Sequence, residues 1–296
     1  MSTKADYIGR FAPSPSGPLH FGSLVAALAS YLDARSQGGS WLLRMEDLDP
    51  SREPPEAAAL ILSTLDVFGL HWDGTVLCQS QRLAAYAEAL ADLQDRGLVY
   101  GCDCSRLQIQ AIGGVYDGRC RQRQLLNSAG ALRVVVPDDT VLFVDAIQGQ
   151  QQQSLLKECG DFVLRRKDGL IAYQLAVVVD DFFQQVTHIV RGSDLLASTP
   201  RQLYLQRLLG FPTPHYAHIP VAVNGSGQKL SKQHFATPLD QQYPAAQLLE
   251  ALRFLGQSPD TDLAGAPPEV LLAWGVIHWD IQAVPKLATI PIQPDR

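Results

Sequence analysis

The 296-residue sequence has no apolar run long enough to cross a bilayer. The longest candidate, Leu170 to Val179, is interrupted by Tyr173 and Gln174, and a spanning helix needs about 20 predominantly apolar residues. The opening, Met1 to Arg10, carries no apolar core, so no signal peptide and no membrane association are expected, and the expected location is cytoplasmic. Positive charge is not in excess either. Against 24 Lys and Arg stand 30 Asp and Glu, for a net charge of −6. A general nucleic-acid binder is usually basic. Any RNA contact must therefore come from a local patch, such as Arg119, Arg121 and Arg123, or Arg165, Arg166 and Lys167, for which solvated surface is the plainer alternative. Cysteine is scarce and odd in number, at 5. With no export signal, that argues against a disulfide framework. Internal repeats are absent, no stable protein partner is evident, and the Gln-rich run Gln148 to Gln153 is expected on a surface loop.

What is present is globular: 46% hydrophobic and 18% charged residues, enough for one large α/β domain with an insertion or for two small domains. Tyr7 to Ala12 reads as a strand, followed by a Pro/Gly/Ser loop over Pro13 to Pro18. A helix starts near Gly22, with Leu24, Leu28, Tyr31 and Leu32 on one face, and stops at Gly38-Gly39. Trp41 to Met45 is a second strand. Pro54-Pro55 opens a helix to about Phe68, and Leu83 to Leu93 is another. This order begins a parallel, Rossmann-like sheet. The rhythm breaks at Tyr100, where the cysteines and the short strands Leu132 to Val136 and Val141 to Val144 suggest an insertion. It resumes near Ile171, with a strand at Thr187 to Arg191 and a helix at Pro200 to Leu209. The expected organisation is a catalytic first half over 1–99, an inserted subdomain over 100–170, a catalytic second half over 171–218, and a terminal region over 219–296. That last region holds a Gly/Ser/Lys loop and helical pieces at Ala245 to Phe254 and Val270 to Trp274.

Two loops could handle phosphate. Pro15-Ser16-Gly17-Pro18-Leu19-His20-Phe21-Gly22-Ser23 lies where the first strand turns into the first helix. There, backbone N–H groups and the helix dipole favour anions. His20 can donate to phosphate oxygens, and Gly22 leaves room for a nucleotide against the backbone. An ordinary Gly/Pro loop with a capped or packed histidine is the alternative. Far downstream, Gly225 to Gln233 places Lys229 and Lys232 three apart on a Gly-containing loop. Lysines there could close over a triphosphate and stabilise a leaving pyrophosphate, or could be no more than a solvated basic loop.

As a pair these segments resemble the two signatures of class I aminoacyl-tRNA synthetases, usually written HIGH and KMSKS. Here they stand as His20-Phe21-Gly22-Ser23 and Lys229-Leu230-Ser231-Lys232-Gln233. Ser23 replaces the second histidine, and Leu230 and Gln233 replace the methionine and the last serine. Both lysines remain, so the resemblance implies ATP activation, with His20, Lys229 and Lys232 catalytic and His20, Gly22, Ser23 and Lys232 on ATP. Mg²⁺ is expected to accompany ATP, although no dedicated carboxylate cage is evident.

The flanks are more specific. Arg10-Phe11-Ala12-Pro13-Ser14-Pro15-Ser16-Gly17, Leu43-Arg44-Met45-Glu46-Asp47-Leu48-Asp49 and Ile189-Val190-Arg191-Gly192-Ser193-Asp194, followed by Thr199-Pro200-Arg201-Gln202, look like glutamyl-tRNA synthetases. The resemblance covers most of the first 235 residues in the same order. L-Glutamate brings two carboxylates and an ammonium, so a site that selects it needs cations and an anion. The resemblance implies Arg10, Ser14 and Arg191 on the side-chain carboxylate, and Glu46 and Tyr173 on the amino group. Taken singly, each of these could be a structural ion pair or a buried tyrosine hydrogen bond.

Three cysteines, Cys102, Cys104 and Cys120, fall within nineteen residues. Three thiolates suit Zn²⁺, which takes four soft or borderline ligands in a tetrahedron. No histidine lies between Cys78 and Cys159, so the fourth ligand comes from Tyr116, Asp103, Asp117 or water. The Cys-x-Cys…Tyr…Cys pattern is similar to that of the glutamyl-queuosine tRNA(Asp) synthetases, short paralogues of the glutamyl-tRNA enzymes. On that resemblance Tyr116 is the fourth ligand, and the site is expected to be structural.

Only 63 residues follow Gln233, which leaves no room for the large helical anticodon-binding region of a discrete glutamyl-tRNA synthetase. That favours the short paralogue, and the resemblance to it implies glutamylation of queuosine in the anticodon of tRNA(Asp). The alternatives are a truncated synthetase charging the 3′ end of tRNA(Glu), and a non-catalytic glutamate or nucleotide sensor.

Overall fold

A computed structural model describes residues 6–123, 125, 130–229 and 237–292. In chain order the first elements are β1 (Ile8–Phe11), α1 (Phe21–Ser36), β2 (Ser40–Met45), α2 (Ala57–Val67), β3 (Leu77–Cys78) and α3 (Leu83–Asp95). Next come β4 (Val99–Cys102), α4 (Arg106–Gln110), β5 (Ala131–Val134), β6 (Thr140–Asp145), β7 (Gly149–Ser154), α5 (Leu155–Glu158) and β8 (Val163–Arg165). The chain continues through α6 (Tyr173–Phe183), β9 (His188–Gly192), α7 (Thr199–Leu209), β10 (His215–Ile219), β11 (Val221–Val223), α8 (Pro244–Phe254), α9 (Pro268–His278) and β12 (Thr289–Pro291).

Strands β1, β2 and β3 form a parallel sheet. Strands β9 and β10 pair in parallel, and β6 joins them with β7 antiparallel at the edge. The two sheets meet where Thr187 N donates to Ile8 O at 2.9 Å and Ile8 N to Thr187 Oγ1 at 2.8 Å. The chain therefore winds from β1 toward β2 and β3 on one side, while β9 and β10 lie on the other. Such a reversal opens a crevice at the carboxyl ends of the central strands, where ligands of open α/β sheets bind.

Helix α1 follows from its spacing and its ends. His20 caps it, with Ser23 N donating to His20 Nδ1 at 3.3 Å. The helix is buried on more than one face, since Leu24, Val25, Ala27, Leu28, Ala29, Leu32 and Ala34 are all inside. The reason lies at the other end of the chain: α8 and α9 pack on the side of α1 away from the sheet. Phe21 meets Phe254 edge to face, and Trp279 Nε1 donates to Asp33 Oδ1 at 2.9 Å. The segment from 244 to 279 is thus part of the same core as the first half.

Two expectations change. Gln148 to Gln153 is not a loop: residues 149–154 form β7, paired with β6 from Thr140–Ser154 to Asp145–Gly149. As an edge strand with one exposed face, which carries Gln150 and Gln152, it accepts four consecutive glutamines that a buried strand would not. Strand β6, placed by sequence in the insertion, pairs in parallel with β10 through Asp145 and Tyr216, so hydrogen bonding crosses the boundary drawn at residue 170. What remains a separate layer is the antiparallel sheet of β4, β5 and β8.

Candidate active site

The crevice holds a cavity of about 780 Å³, and the ends of several elements supply its walls. Arg10 comes from β1, His20 and Ser23 from the start of α1, Glu46 from the residue after β2, Tyr173 from the first turn of α6, and Arg191 from the end of β9. Ser14, Gly22, Asp194 and Lys229 also line it. Of the residues singled out by sequence for ATP and glutamate, all but one share this cavity. The exception, Lys232, lies outside the described residues, as do Leu230, Ser231 and Gln233.

The loop before α1 is held by a backbone bond from Glu46 N to Pro13 O, 3.0 Å. His20 Nδ1 accepts from Ser23 N, so the ring proton sits on Nε2 and that nitrogen is a donor. A side chain at position 22 would put its Cβ 3.2 Å from the His20 ring, so glycine keeps the imidazole and the helix start close together. Lys229 Nζ donates to Asp194 Oδ2 at 2.5 Å across the cavity mouth.

Three charges organise the floor: Asp181 and Arg44, both buried, and Glu46, half-buried. Asp181, on α6, accepts from Arg10 Nε at 3.1 Å and from Arg44 Nη2 at 2.8 Å. Burial works against its ionisation, but the two guanidinium groups outweigh it and hold its carboxyl below the usual range. Arg44 is fully buried and also lies 3.7 Å from Glu46 Oε1. Glu46 has the opposite balance: burial, only partly offset by Arg44 and Arg10, pushes its carboxyl up to about 7.

Arg191 is 5% exposed and tightly held. Its Nη1 donates to Tyr173 OH at 3.3 Å, Nη2 to Thr199 Oγ1 at 2.8 Å, and Nε to His218 Nε2 at 2.9 Å. Sequence reasoning named neither His218 nor Asp181. His218 sits in β10, and Asp181 two turns along the helix that starts at Tyr173, so no local motif marks either one.

A second cavity of about 300 Å³ adjoins the first and shares Ser14, Ser16, Glu46, Arg52 and Tyr173 with it. Arg166 lines this second cavity and pairs with Asp49 at 2.9 Å and Asp168 at 2.6 Å. The other basic cluster is likewise neutralised: Arg119 pairs with Asp117, Arg121 with Asp161 and Arg123 with Asp103.

At the end of β4 and in the loop beyond it, the sulfurs of Cys102, Cys104 and Cys120 lie within 4.8 Å of one another. A tetrahedral site with Zn–S bonds near 2.3 Å sets its sulfurs roughly 3.8 Å apart. Tyr116, 2% exposed, has its hydroxyl 3.4 Å from Cys102 Sγ and 3.1 Å from the N–H of Cys120. Although burial opposes it, bonds from Tyr116 and Arg133 hold the Cys102 thiol below its ordinary range, while burial and its sulfur neighbours push Cys104 up to about 11. Gly160 permits the approach of this loop: it has φ +63°, and a Cβ there would fall 2.1 Å from the Tyr116 carbonyl oxygen.

Comparison with known proteins agrees with this geometry. Residues 8–267 match the family model described as tRNA synthetases class I (E and Q), catalytic domain. A protein from Pseudomonas fluorescens named glutamyl-Q tRNA(Asp) synthetase is 54% identical over 290 residues, covering 98% of this chain and 97% of the relative. One of the same name from Pseudomonas aeruginosa is 54% identical over 287 residues, covering 97% and 98%. Among solved structures, a glutamate-tRNA synthetase from Elizabethkingia anophelis superposes with a TM-score of 0.80 at 25% identity, over 97% of this chain and 68% of that one. A glutamate tRNA ligase from Elizabethkingia meningosepticum, in complex with its amino acid, gives 0.78 at 25% identity, over 95% and 66%. With a family model matched over residues 8–267 and relatives 54% identical over nearly their whole length, the chain belongs to the class I tRNA synthetases of the glutamate and glutamine type, within the glutamyl-Q tRNA(Asp) synthetases.

Proposed function

We propose that this chain activates L-glutamate with ATP and transfers the glutamyl group to queuosine in the anticodon of tRNA(Asp). The observation that carries the reading is the convergence of Arg10, Glu46, Tyr173 and Arg191 on the cavity that also receives His20 and Lys229. Cations for a carboxylate, an anion for an ammonium and donors for phosphate thus meet in one crevice. The names of the relatives supply the acceptor.

In this reading Arg191, with Arg10 and Ser14, binds the side-chain carboxylate, and Glu46 with Tyr173 binds the ammonium. That leaves the α-carboxylate directed at the helix start. One of its oxygens attacks the α-phosphorus of ATP in line, and the bond to the bridging oxygen breaks. Pyrophosphate leaves with the electron pair, stabilised by His20 Nε2–H, the N-terminus of α1 and the lysines 229 and 232. Gly22 and Ser23 hold the nucleotide close to the helix. A hydroxyl of the acceptor then attacks the mixed anhydride and AMP departs. Mg²⁺ bound with ATP would add charge neutralisation on the phosphates.

Zn²⁺ fits the donor set of Cys102, Cys104, Cys120 and Tyr116 by its chemistry and by the sulfur spacing. It would tie the residues 102–120 loop to β4 and serve structure, since these ligands lie in the insertion and not among the cavity-lining residues. The test of the whole reading is glutamate-dependent exchange of labelled pyrophosphate into ATP, with no RNA added. Exchange with glutamate, and not with glutamine or aspartate, supports it; no exchange with any amino acid overturns the activation step.

A further inference from the structure

We propose that Asp145 and His218 form a relay that fixes the position of Arg191, so that these two positioning residues, neither of which lines the cavity, set the preference for glutamate over glutamine. The inference rests on the proposed role of Arg191 and adds the groups that hold it.

The hydrogen bonds leave one arrangement of protons. A guanidinium can only donate, so His218 Nε2, 2.9 Å from Arg191 Nε, must accept. The imidazole proton therefore sits on Nδ1, and it is given to Asp145 Oδ2 at 2.6 Å. Thr199 Oγ1, 3.3 Å from the same Nε2, is compatible with an acceptor there. Asp145 cannot turn: its Oδ1 accepts from the backbone N–H groups of Ile147, Gln148 and His218 at 3.1, 2.9 and 3.1 Å. All three members are buried, at 1%, 0% and 5% exposure for Asp145, His218 and Arg191. Burial, with Arg191 alongside, lowers the His218 pKa despite Asp145, which keeps the ring neutral and its Nε2 lone pair turned to the arginine. The state of a histidine ring is set by the bond its other nitrogen makes, and here that bond comes from a strand of the edge hairpin.

Asp145→Asn tests the relay with a nearly isosteric change. The three backbone donors require an oxygen at the Oδ1 position, so the new amide nitrogen must face His218 Nδ1. That nitrogen donates, the ring proton moves to Nε2, and an N–H then points at Arg191 Nε–H. Arg191 is pushed from its position by a donor facing a donor. In pyrophosphate exchange the expected result is a rise of tenfold or more in KM for glutamate, kcat within a few fold, and a fall of at least tenfold in the glutamate-over-glutamine ratio. Adding His218→Glu should restore the ratio, because a carboxylate at 218 accepts from both the amide introduced at 145 and Arg191. A purely structural role would lower activity toward both amino acids together and leave the ratio alone, and that outcome overturns the relay. If Asp145→Asn does not fold, His218→Gln and His218→Leu replace it: the relay predicts a retained ratio in the first and a lost one in the second, and equal ratios contradict it. A parent protein with no glutamate-dependent exchange would refute the proposed function itself; a parent with exchange and an Asp145→Asn variant of unchanged ratio refutes only the relay.

Discussion

Glu46 Oε1 lies 3.7 Å from Arg44 Nη2, yet the arginine does not hold the carboxyl ionised, because the same Nη2 is 2.8 Å from Asp181. Burial dominates and the Glu46 carboxyl is pushed up to about 7. A folded value above the ordinary 4.5 means that this group favours folding most below 4.5, and that the contribution is lost as pH rises through about 7. Binding an ammonium needs the opposite, ionised form. KM for glutamate in pyrophosphate exchange should therefore fall several-fold from about pH 6 to about pH 8. In Glu46→Gln the affinity should drop and the pH dependence flatten, while the melting temperature near pH 8 should not fall. A KM unchanged across that interval in the parent would remove Glu46 from the ammonium site.

Arg191 should decide between a carboxylate and an amide. Arg191→Gln leaves the side-chain carboxylate of the substrate buried without its cation, which costs on the order of 2–5 kcal/mol. The check is the ratio of kcat/KM for glutamate and glutamine. An unchanged ratio removes Arg191 from the specificity site.

Lys232 is expected to act on the leaving pyrophosphate, and Lys229, paired with Asp194 at 2.5 Å, to exchange that carboxylate for the triphosphate when ATP enters. Lys232→Ala should cut the exchange rate by roughly a hundredfold or more, since it removes charge placed for the transition state. Full exchange in that variant would contradict the role. The fold should be indifferent to the change.

The insertion should carry one zinc per chain. Elemental analysis of protein purified without chelator tests this, and a metal-free result refutes the site. Cys120→Ser should lose the metal and lower the melting temperature, with near-normal activity in the fraction that remains folded. Loss of activity without loss of structure would instead give the metal a direct part in the reaction.

How far the sequence could be read depended on how local each feature is. The β1–α1–β2 start was legible because hydrophobic spacing changes from strand to helix around a Pro/Gly loop, and because His20 and Ser23 form a cap within four residues. Strand β7 was hidden because four of its six residues are polar glutamines; its strand character comes from pairing with β6, a property of the partner. The relay was invisible because Asp145 and His218 are 73 residues apart and serve Arg191 without entering the cavity. Asp181, which holds Arg10, is 171 residues from it, and no local motif marks it. The basic runs around Arg121 and Arg166 showed their charge in the sequence but not the aspartates they pair with, Asp161 and Asp49, which lie 40 and 117 residues away. The C-terminal helices could be anticipated, but their seat on α1 could not, because an apolar face does not name the face it packs against.

The central claim is the identity of the acceptor. Labelled glutamate, ATP and the protein should be incubated with tRNA(Asp) that contains queuosine, with tRNA(Asp) that lacks it, and with tRNA(Glu), and each RNA should then be digested by nucleases and the labelled nucleotide mapped. Single-stranded anticodon bases can be splayed out and read by stacking and hydrogen bonds. The account predicts label on the anticodon fragment of queuosine-containing tRNA(Asp) alone. Label on the terminal adenosine of tRNA(Glu) would contradict it and make the protein a synthetase of the ordinary kind.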